Sequence, residues 1–414
     1  MDQKIKKRLS RVIQAAYETT PYFNNIINGL IDDTDEINAE LFDKLPIFNK
    51  QTIREVGWPN FIATDFLDEN HEPILTSGAR LERTSGTTGT SMQIIWNQND
   101  YLSSIMNHWK FRYSNFNITP NSRMCTSTRR LPKNQLFSID GNQLIISTSE
   151  LSAHTIPLII QAINTFQPEW FYIQNSLLYV LVYVAKQGNL TFPKSVRYIE
   201  YIGEPLCDYY RRILAEHIPV PVSNMYGCTE TNGISYECVC GNNHLMQENV
   251  LIELVDLEGR TVKEGTSGYV CVTGLHNTAM PILRYRLNDL AIIDTHTHCK
   301  CGNPHPMIDI KAARMPEFLI LDDPSVFPSA SLYIPIREKM DLFHVEKADI
   351  AFNYRMKSLD DYDILVYQNA HNSLDVGKLL TELFAAYQLL NIKFTIHKIE
   401  QADSQMPIGM LRLR

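Results

Sequence analysis

Through the first half of the chain, short β-branched or aromatic runs alternate with apolar stretches at helical spacing, and this alternation restricts the fold more than any other feature. The runs fall at 93–96, 143–147, 196–201 and 220–225. Leu9, Val12, Ile13 and Ala16 recur at helical spacing within 1–45, and Pro21 stops the first helix. Two further helical stretches are expected within 152–186, broken at Pro168. Strands alternating with helices predict an α/β domain with parallel sheets. After residue 250 the texture becomes strand-rich, at 250–255 and 268–273, which predicts a β-rich subdomain. Beyond Arg314 a Met-Pro-Glu run precedes a final block with strands expected at 363–367 and 394–398 and a helix at 379–389. The chain has 414 residues, more than one hydrophobic core usually serves. The expected division is therefore a large N-terminal domain, 1–314, and a small α+β C-terminal domain, 315–414.

Hydrophobic residues make up 44% and charged residues 20%, as in an ordinary globular protein, and the formal net charge of -8 argues against nucleic acid as a partner. A small molecule or a protein is the expected partner. No stretch approaches the roughly 20 apolar residues of a membrane span. The basic segment from Met1 to Arg11 has no apolar core behind it, so no membrane partner is expected and the cytoplasm is the default location. A homodimer is the default assembly, since dimers are the commonest soluble oligomers.

The segment Thr84-Ser85-Gly86-Thr87-Thr88-Gly89-Thr90-Ser91 packs hydroxyls and backbone amides around two glycines that let a ligand come close, the chemistry of a phosphate cradle. It is not a Walker loop, because no Gly-Lys-Ser/Thr follows. Taken alone, it is equally what a solvated turn looks like. From Thr84 to Gly89, however, it resembles the signature loop of the adenylate-forming superfamily, and further words follow in that family's order. Tyr17-Glu18-Thr19-Thr20-Pro21-Tyr22 and Leu45-Pro46-Ile47 with Lys50 resemble the helical start of the phenylacetate–CoA ligase branch. Gly203-Glu204-Pro205-Leu206, Asn224-Met225-Tyr226-Gly227-Cys228-Thr229-Glu230 and Tyr285-Arg286-Leu287-Asn288-Asp289-Leu290 complete the series.

The resemblance implies ATP-dependent activation of a carboxylic acid as an acyl-adenylate, with 1–314 the adenylate-forming, AMP-binding domain and 315–414 a mobile lid. Ser85, Gly86, Thr87, Thr88 and Gly89 would hold phosphates, and Glu230 would bind magnesium as a hard oxygen ligand. Asn224, Tyr226 and Gly227 would frame the adenine on one side, with Gly203, Glu204 and Pro205 on the other, and Thr229 would belong to the same cofactor-binding set. Asp289 would accept hydrogen bonds from the ribose hydroxyls. Arg314 matches the hinge arginine, although Pro316 stands where flexibility is wanted. Thr88, Glu230 and Arg314 are the residues expected to take part in catalysis. The family favours an aromatic acid, and Trp109, Phe111 and Tyr113 are either its pocket or helix core. The acceptor stays open among CoA, a carrier-protein thiol and a reductase.

Four of the eight cysteines form two Cys-x-Cys pairs, Cys238 with Cys240 and Cys299 with Cys301, and His244, His296 and His298 lie nearby. In a reducing compartment such a pattern reads as metal before disulfide. The words Cys-x-Cys-Gly and Glu-Cys followed by a histidine resemble those of zinc-containing members of the same branch. That resemblance implies Cys238, His244, Cys299 and Cys301 as ligands, with Cys240 as the substitute for Cys238. Three thiolates and an imidazole fill a tetrahedral zinc site, so its role would be structural.

One departure from the family lies near the C-terminus. Pro407-Ile408-Gly409-Met410-Leu411-Arg412 stands where the resemblance calls for a Gly-Lys word, and Met410 occupies the place of the lysine that bridges the carboxylate and the α-phosphate. A thioether neither donates a hydrogen bond nor carries charge. Loss of such a donor costs on the order of 3 kcal/mol in the transition state. ATP–pyrophosphate exchange by the parent is therefore expected to run about a hundredfold below that of Met410→Lys. Fast exchange in the parent that disappears in Lys398→Ala would show that another lysine reaches the site.

Overall fold

The computed structural model describes residues 2–312 except 33–34, 75–77, 85–91, 129, 149, 152–154, 175–176, 179–180, 183, 186–187, 204–207 and 257. After them it describes strands between 318 and 413, together with residue 378. The chain forms two compact units, one of Met1–Gly86, Ser91–Asn117 and Met225–Ala312, the other of Thr87–Thr90, Ile118–Asn224 and Ala313–Arg414. Among the described residues no helix is long and apolar enough to cross a membrane.

The first unit opens with α1 (Gln3–Thr19), whose N-cap Asp2 accepts from the Lys4 amide and whose stripe of Leu9, Val12, Ile13 and Ala16 is fully buried. Pro21 ends that run and starts α2 (Pro21–Asn28), the place in a helix where its missing N–H costs nothing. The Asn49–Thr52 capping box starts α3 (Lys50–Val56). Tyr22, Phe23, Phe48 and Phe61 then pack as one aromatic group, with Tyr22 stacked on Phe61 at 4.2 Å and Phe48 on Phe61 at 5.4 Å. Strands β1 (Ala79–Arg83) and β2 (Gln93–Asn97) pair antiparallel, and α4 (Gln98–Phe116) follows, closed by Asn117 at φ 54°.

The second unit is the parallel part. Its strands are β3 (Met124–Thr128), β4 (Phe137–Asp140), β5 (Gln143–Ser147), β6 (Trp170–Ile173) and β7 (Tyr198–Ile202). They run in the order β7-β6-β3-β5-β4, parallel except for the β4–β5 hairpin. Helix α5 (Thr155–Phe166) buries Ile156, Ile159, Ile160 and Ile163 in a cluster with Leu144, Ile146, Phe171 and Ile199. Each such isoleucine contributes about 2 kcal/mol. The sequence had suggested only helix within 152–186, and β6 corrects it. A parallel strand buried on both faces carries no alternation, so Trp170-Phe171-Tyr172-Ile173 reads as part of a continuous apolar run.

Strand β8 (Val222–Cys228) returns the chain to the first unit, where β9 (Asn232–Glu237), β10 (Asn243–Leu245), β11 (Val250–Val255), β12 (Gly268–Gly274), β13 (Tyr285–Asp294) and β14 (Met307–Ala312) pair in the order β11-β12-β13-β14-β10-β9-β8. All six neighbouring pairs in that order are antiparallel, as expected of a β-rich subdomain. Further on, β15 (Phe318–Ile320) pairs with β16 (Val326–Pro328). A four-stranded sheet then holds β17 (Ile350–Ser358), β18 (Asp361–Gln368), β19 (Lys393–Ile399) and β20 (Leu411–Leu413). Strands β18 and β19 contain the runs expected at 363–367 and 394–398, and the helix expected at 379–389 lies outside the described residues.

A buried polar network joins α1 and α4 to the segment after β12. Asp100 accepts from Arg11 at 2.9 Å and from both the amide and the hydroxyl of Thr278. The ring of His276 donates through Nε2 to the carbonyl of Glu248, and burial, with Arg8 and Arg11 nearby, lowers its pKa to about 4. An unfolded histidine titrates near 6.5, so between about pH 6.5 and 4 the unfolded chain binds the extra proton and folding weakens as the pH falls. Chemical denaturation of the parent over that interval should show a loss on the order of 3 kcal/mol that His276→Gln does not share. Parallel profiles for the two proteins would refute the assignment.

Candidate functional site

Strands β1 and β2 flank the hydroxyl-rich stretch 85–91 in sequence, and Thr84 and Met92 are its neighbours on either side. These two residues pair with each other, the Thr84 amide donating to Met92 O at 2.8 Å and the Met92 amide to Thr84 Oγ1 at 2.7 Å. Ser85, Gly86, Thr87, Thr88 and Gly89 lie outside the described residues, as do Glu204, Pro205, Arg314 and Met410. In the second unit Gly203 ends β7 at φ 74°, a backbone setting that glycine takes without strain. Asn224 lies on β8, half-buried.

Glu230 sits in the turn between β8 and β9 and is 6% exposed. The turn is held from several directions. Trp96 Nε1 donates to Thr229 O, the Cys228 thiol and Thr231 hydroxyl are 3.2 Å apart, and Asn232, at φ 65°, donates from its side chain to Ser104 Oγ on α4 at 2.6 Å. Gly227 is required there, because a Cβ would stand 2.4 Å from the carbonyl oxygen of Asn232. Tyr285, 3% exposed at the start of β13, points its hydroxyl at Glu230 Oε1, 3.4 Å away. Burial, reinforced by Glu230, pushes its pKa well above the ordinary phenol value, so the hydroxyl keeps its proton. Four residues further along β13, Asp289 accepts from the Tyr226 hydroxyl at 2.7 Å. The two acids, 59 positions apart in sequence (289 minus 230), are thus drawn to the same pair of segments.

A second cluster lies where β9 and β13 run out. The ligand atoms of Cys238, His244, Cys299 and Cys301 all lie within 4.8 Å of one another, with Cys238 and Cys299 sulfurs 3.7 Å apart and Cys301 Sγ 3.3 Å from His244 Nε2. Two turns of one design deliver the thiols. Cys238-Val239-Cys240-Gly241 and Cys299-Lys300-Cys301-Gly302 each close with the glycine amide on the first cysteine's carbonyl, at 2.9 and 3.1 Å. The His244 ring donates from Nδ1 to the carbonyl of His305 at 3.0 Å, which leaves Nε2 with a lone pair facing the thiols. Amides of Cys240, Asn303 and the Asn242 side chain donate to the sulfurs of Cys238, Cys301 and Cys299.

The Asn242 amide and the Cys301 backbone lower the Cys299 pKa to about 5, whereas burial and the neighbouring thiols raise Cys301 to about 11. Once one thiolate forms, the next is costly unless a cation shares the charge. Three sulfurs and one imidazole could hold a tetrahedral soft or borderline divalent ion. Cys240 is exposed and lies outside this four-ligand group.

Several contributors escaped the sequence reading. Tyr285 stands four residues before Asp289 as Tyr226 stands four before Glu230, a symmetry that could have flagged it. Asn242 and His305 carried no signal, since a side chain behind a ligand is not marked by spacing. The buried stripe of α4 is Asp100, Ser104, His108 and Arg112, polar throughout, so an apolar-periodicity search misses that face. Of the aromatic trio on α4, Phe111 packs on Tyr236 at 3.8 Å, Trp109 lies under Arg112, and Tyr113 is 60% exposed.

Residues 83–280 match the family described as AMP-binding enzyme. The phenylacetate-coenzyme A ligase of Thermus thermophilus is 24% identical over 349 residues, 78% of this chain and 72% of that protein. That of Pseudomonas putida is 23% identical over 400 residues, 90% of this chain and 83% of that protein. A crystal structure of 2-hydroxyisobutyryl-CoA ligase in complex with 2-HIB-AMP and CoA is similar with a TM-score of 0.64 and 16% identity, covering 98% of this chain and 88% of that one. That last likeness is one of fold.

Proposed function

We propose that this chain, which belongs to the adenylate-forming superfamily and to its phenylacetate–CoA ligase-like branch, is an acid–thiol ligase that activates a small carboxylic acid with ATP and passes the acyl group to CoA. The observation that carries the reading is the juxtaposition of Glu230, in the β8–β9 turn, and Asp289, on β13, each approached by a tyrosine from the other's segment. In the first half-reaction a carboxylate oxygen bonds to the α-phosphorus as the bond to pyrophosphate breaks. In the second, a thiolate bonds to the acyl carbon as AMP leaves.

Asp289 would accept from the ribose hydroxyls, Tyr226 and Gly227 would lie against adenine with Asn224, Gly203, Glu204 and Pro205 would close its other side, and Thr229 would join the cofactor-binding set. Glu230, a single buried carboxylate, suits an ion that keeps waters and takes its remaining ligands from phosphate. Magnesium, when bound, supplies positive charge against the phosphates. Ser85, Gly86, Thr87, Thr88 and Gly89 would embrace those phosphates, and 315–414 would act as the lid, turning at Arg314. An aromatic acid is the substrate class the branch favours. A second reading rests on Met410: the chain binds nucleotide or adenylate but adenylates slowly and works with a carrier protein or reductase. ATP–pyrophosphate exchange across a panel of aryl and aliphatic acids separates the two readings. Glu230→Gln should lower exchange at least a hundredfold, because a neutral amide is a poor ligand for a hard ion. Undiminished exchange at saturating magnesium would refute its role.

Cys238, His244, Cys299 and Cys301 would hold a structural zinc. The support is a donor set with no place left for substrate and a His244 tautomer fixed by His305. Metal analysis of purified protein should find about one zinc per chain, and Cys299→Ser should lose most of it and melt at lower temperature. Less than about half an equivalent in the parent would sink the assignment.

A further inference from the structure

Tyr226 and Glu230 lie on one segment and Tyr285 and Asp289 on another, each acid four residues after its own tyrosine. The hydroxyls, however, are exchanged: Tyr226 donates to Asp289 Oδ2 at 2.7 Å, and Tyr285 donates to Glu230 Oε1 at the looser 3.4 Å. We propose that this crossed pair is a positioning device, in which Tyr226 sets the direction from which Asp289 accepts the ribose and Tyr285 aims Glu230 at the phosphate-bound metal. The inference rests on the nucleotide-binding roles proposed for the two acids; it adds Tyr285 and gives Tyr226, already proposed to lie against adenine, a second role through Asp289.

The terminal torsion of a carboxylate is broad, so an acid on a strand or turn has no fixed direction of its own. A phenol has few torsions and a rigid ring; at 2.7 Å the Tyr226 hydroxyl makes a charge-assisted bond that fixes the Asp289 torsion, whereas at 3.4 Å the Tyr285 hydroxyl is a longer polar contact that biases the direction of Glu230. Both rings are anchored. Tyr285 is 3% exposed with Phe48 at 5.3 Å, and Tyr226 packs against the core cluster of the first unit. Because each donor comes from the opposite segment, the same two bonds also fix the spacing between the acids. Sites held in this way need little reorganisation when ligand arrives.

Tyr226→Phe and Tyr285→Phe remove only the hydroxyls. Binding of ATP and of 2′,3′-dideoxy-ATP, measured by titration calorimetry over a range of magnesium concentrations, tests the pair. Tyr226→Phe should weaken ATP about tenfold and dideoxy-ATP far less, with the magnesium requirement unchanged. Tyr285→Phe should raise the magnesium concentration for half-maximal binding severalfold while keeping the parent's preference for ATP. An unchanged preference in Tyr226→Phe, in a parent that does prefer ATP, overturns the proposal and leaves the nucleotide site standing. Equal losses for both nucleotides in both variants, with lowered melting temperatures, mark the tyrosines as merely structural and also overturn it. A parent that binds the two nucleotides equally, or neither, removes the role of Asp289 and the proposal with it.

Discussion

A carboxylate excluded from water is stable only where donors meet it, and Asp100 is the place in the first unit where that requirement organises everything around it. Its three donors come from α1 and from the segment after β12, so a single buried charge registers two distant stretches of chain on α4. The same helix continues the polar theme. Ser104 takes the Asn232 side chain, and its carbonyl takes that of Asn249. Because hydrogen bonds demand a direction where apolar packing demands only volume, a helix docked through such a stripe is fixed in rotation and height.

That fixed helix has consequences at the site. Asn232 follows Glu230 by two residues, so the Asn232–Ser104 bond transfers the position of α4 to the turn that carries the acid. From there β9 runs to the first cysteine turn, and β13 runs from Asp289 toward the second. The two acid-bearing segments are thus linked by tyrosines near one end and brought together by the cysteine and histidine side chains at the other. The intervening sheet also carries a partly buried ion pair, Arg284 with Glu253, whose guanidinium further binds the carbonyls of Asp43 and Leu45. Arg284 accepts a φ of 56° in that setting, immediately before Tyr285. Breaking one partner of such a pair leaves an uncompensated charge, which makes the start of β13 costly to displace.

Sequence alone determined the elements whose cause is local: the α1 stripe and its stop at Pro21, and the strands from 93, 143, 250 and 268. The two cysteine knuckles were legible because metal-type ligands must recur at short spacing within a turn. What stayed hidden depends on partners far along the chain. Strand β6 looked like helix because a strand covered on both faces has no period to read, and the buried face of α4 left no apolar period because it is polar. Only the tertiary structure decided that Cys240 stays out of the four-ligand group, that His305 sets the tautomer of His244, and that Tyr226 and Tyr285 serve each other's acids. The physical reason is common to all three: hydrogen bonds and ligand contacts act over about 3 Å in space, and no regularity of spacing records which side chains folding will bring that close.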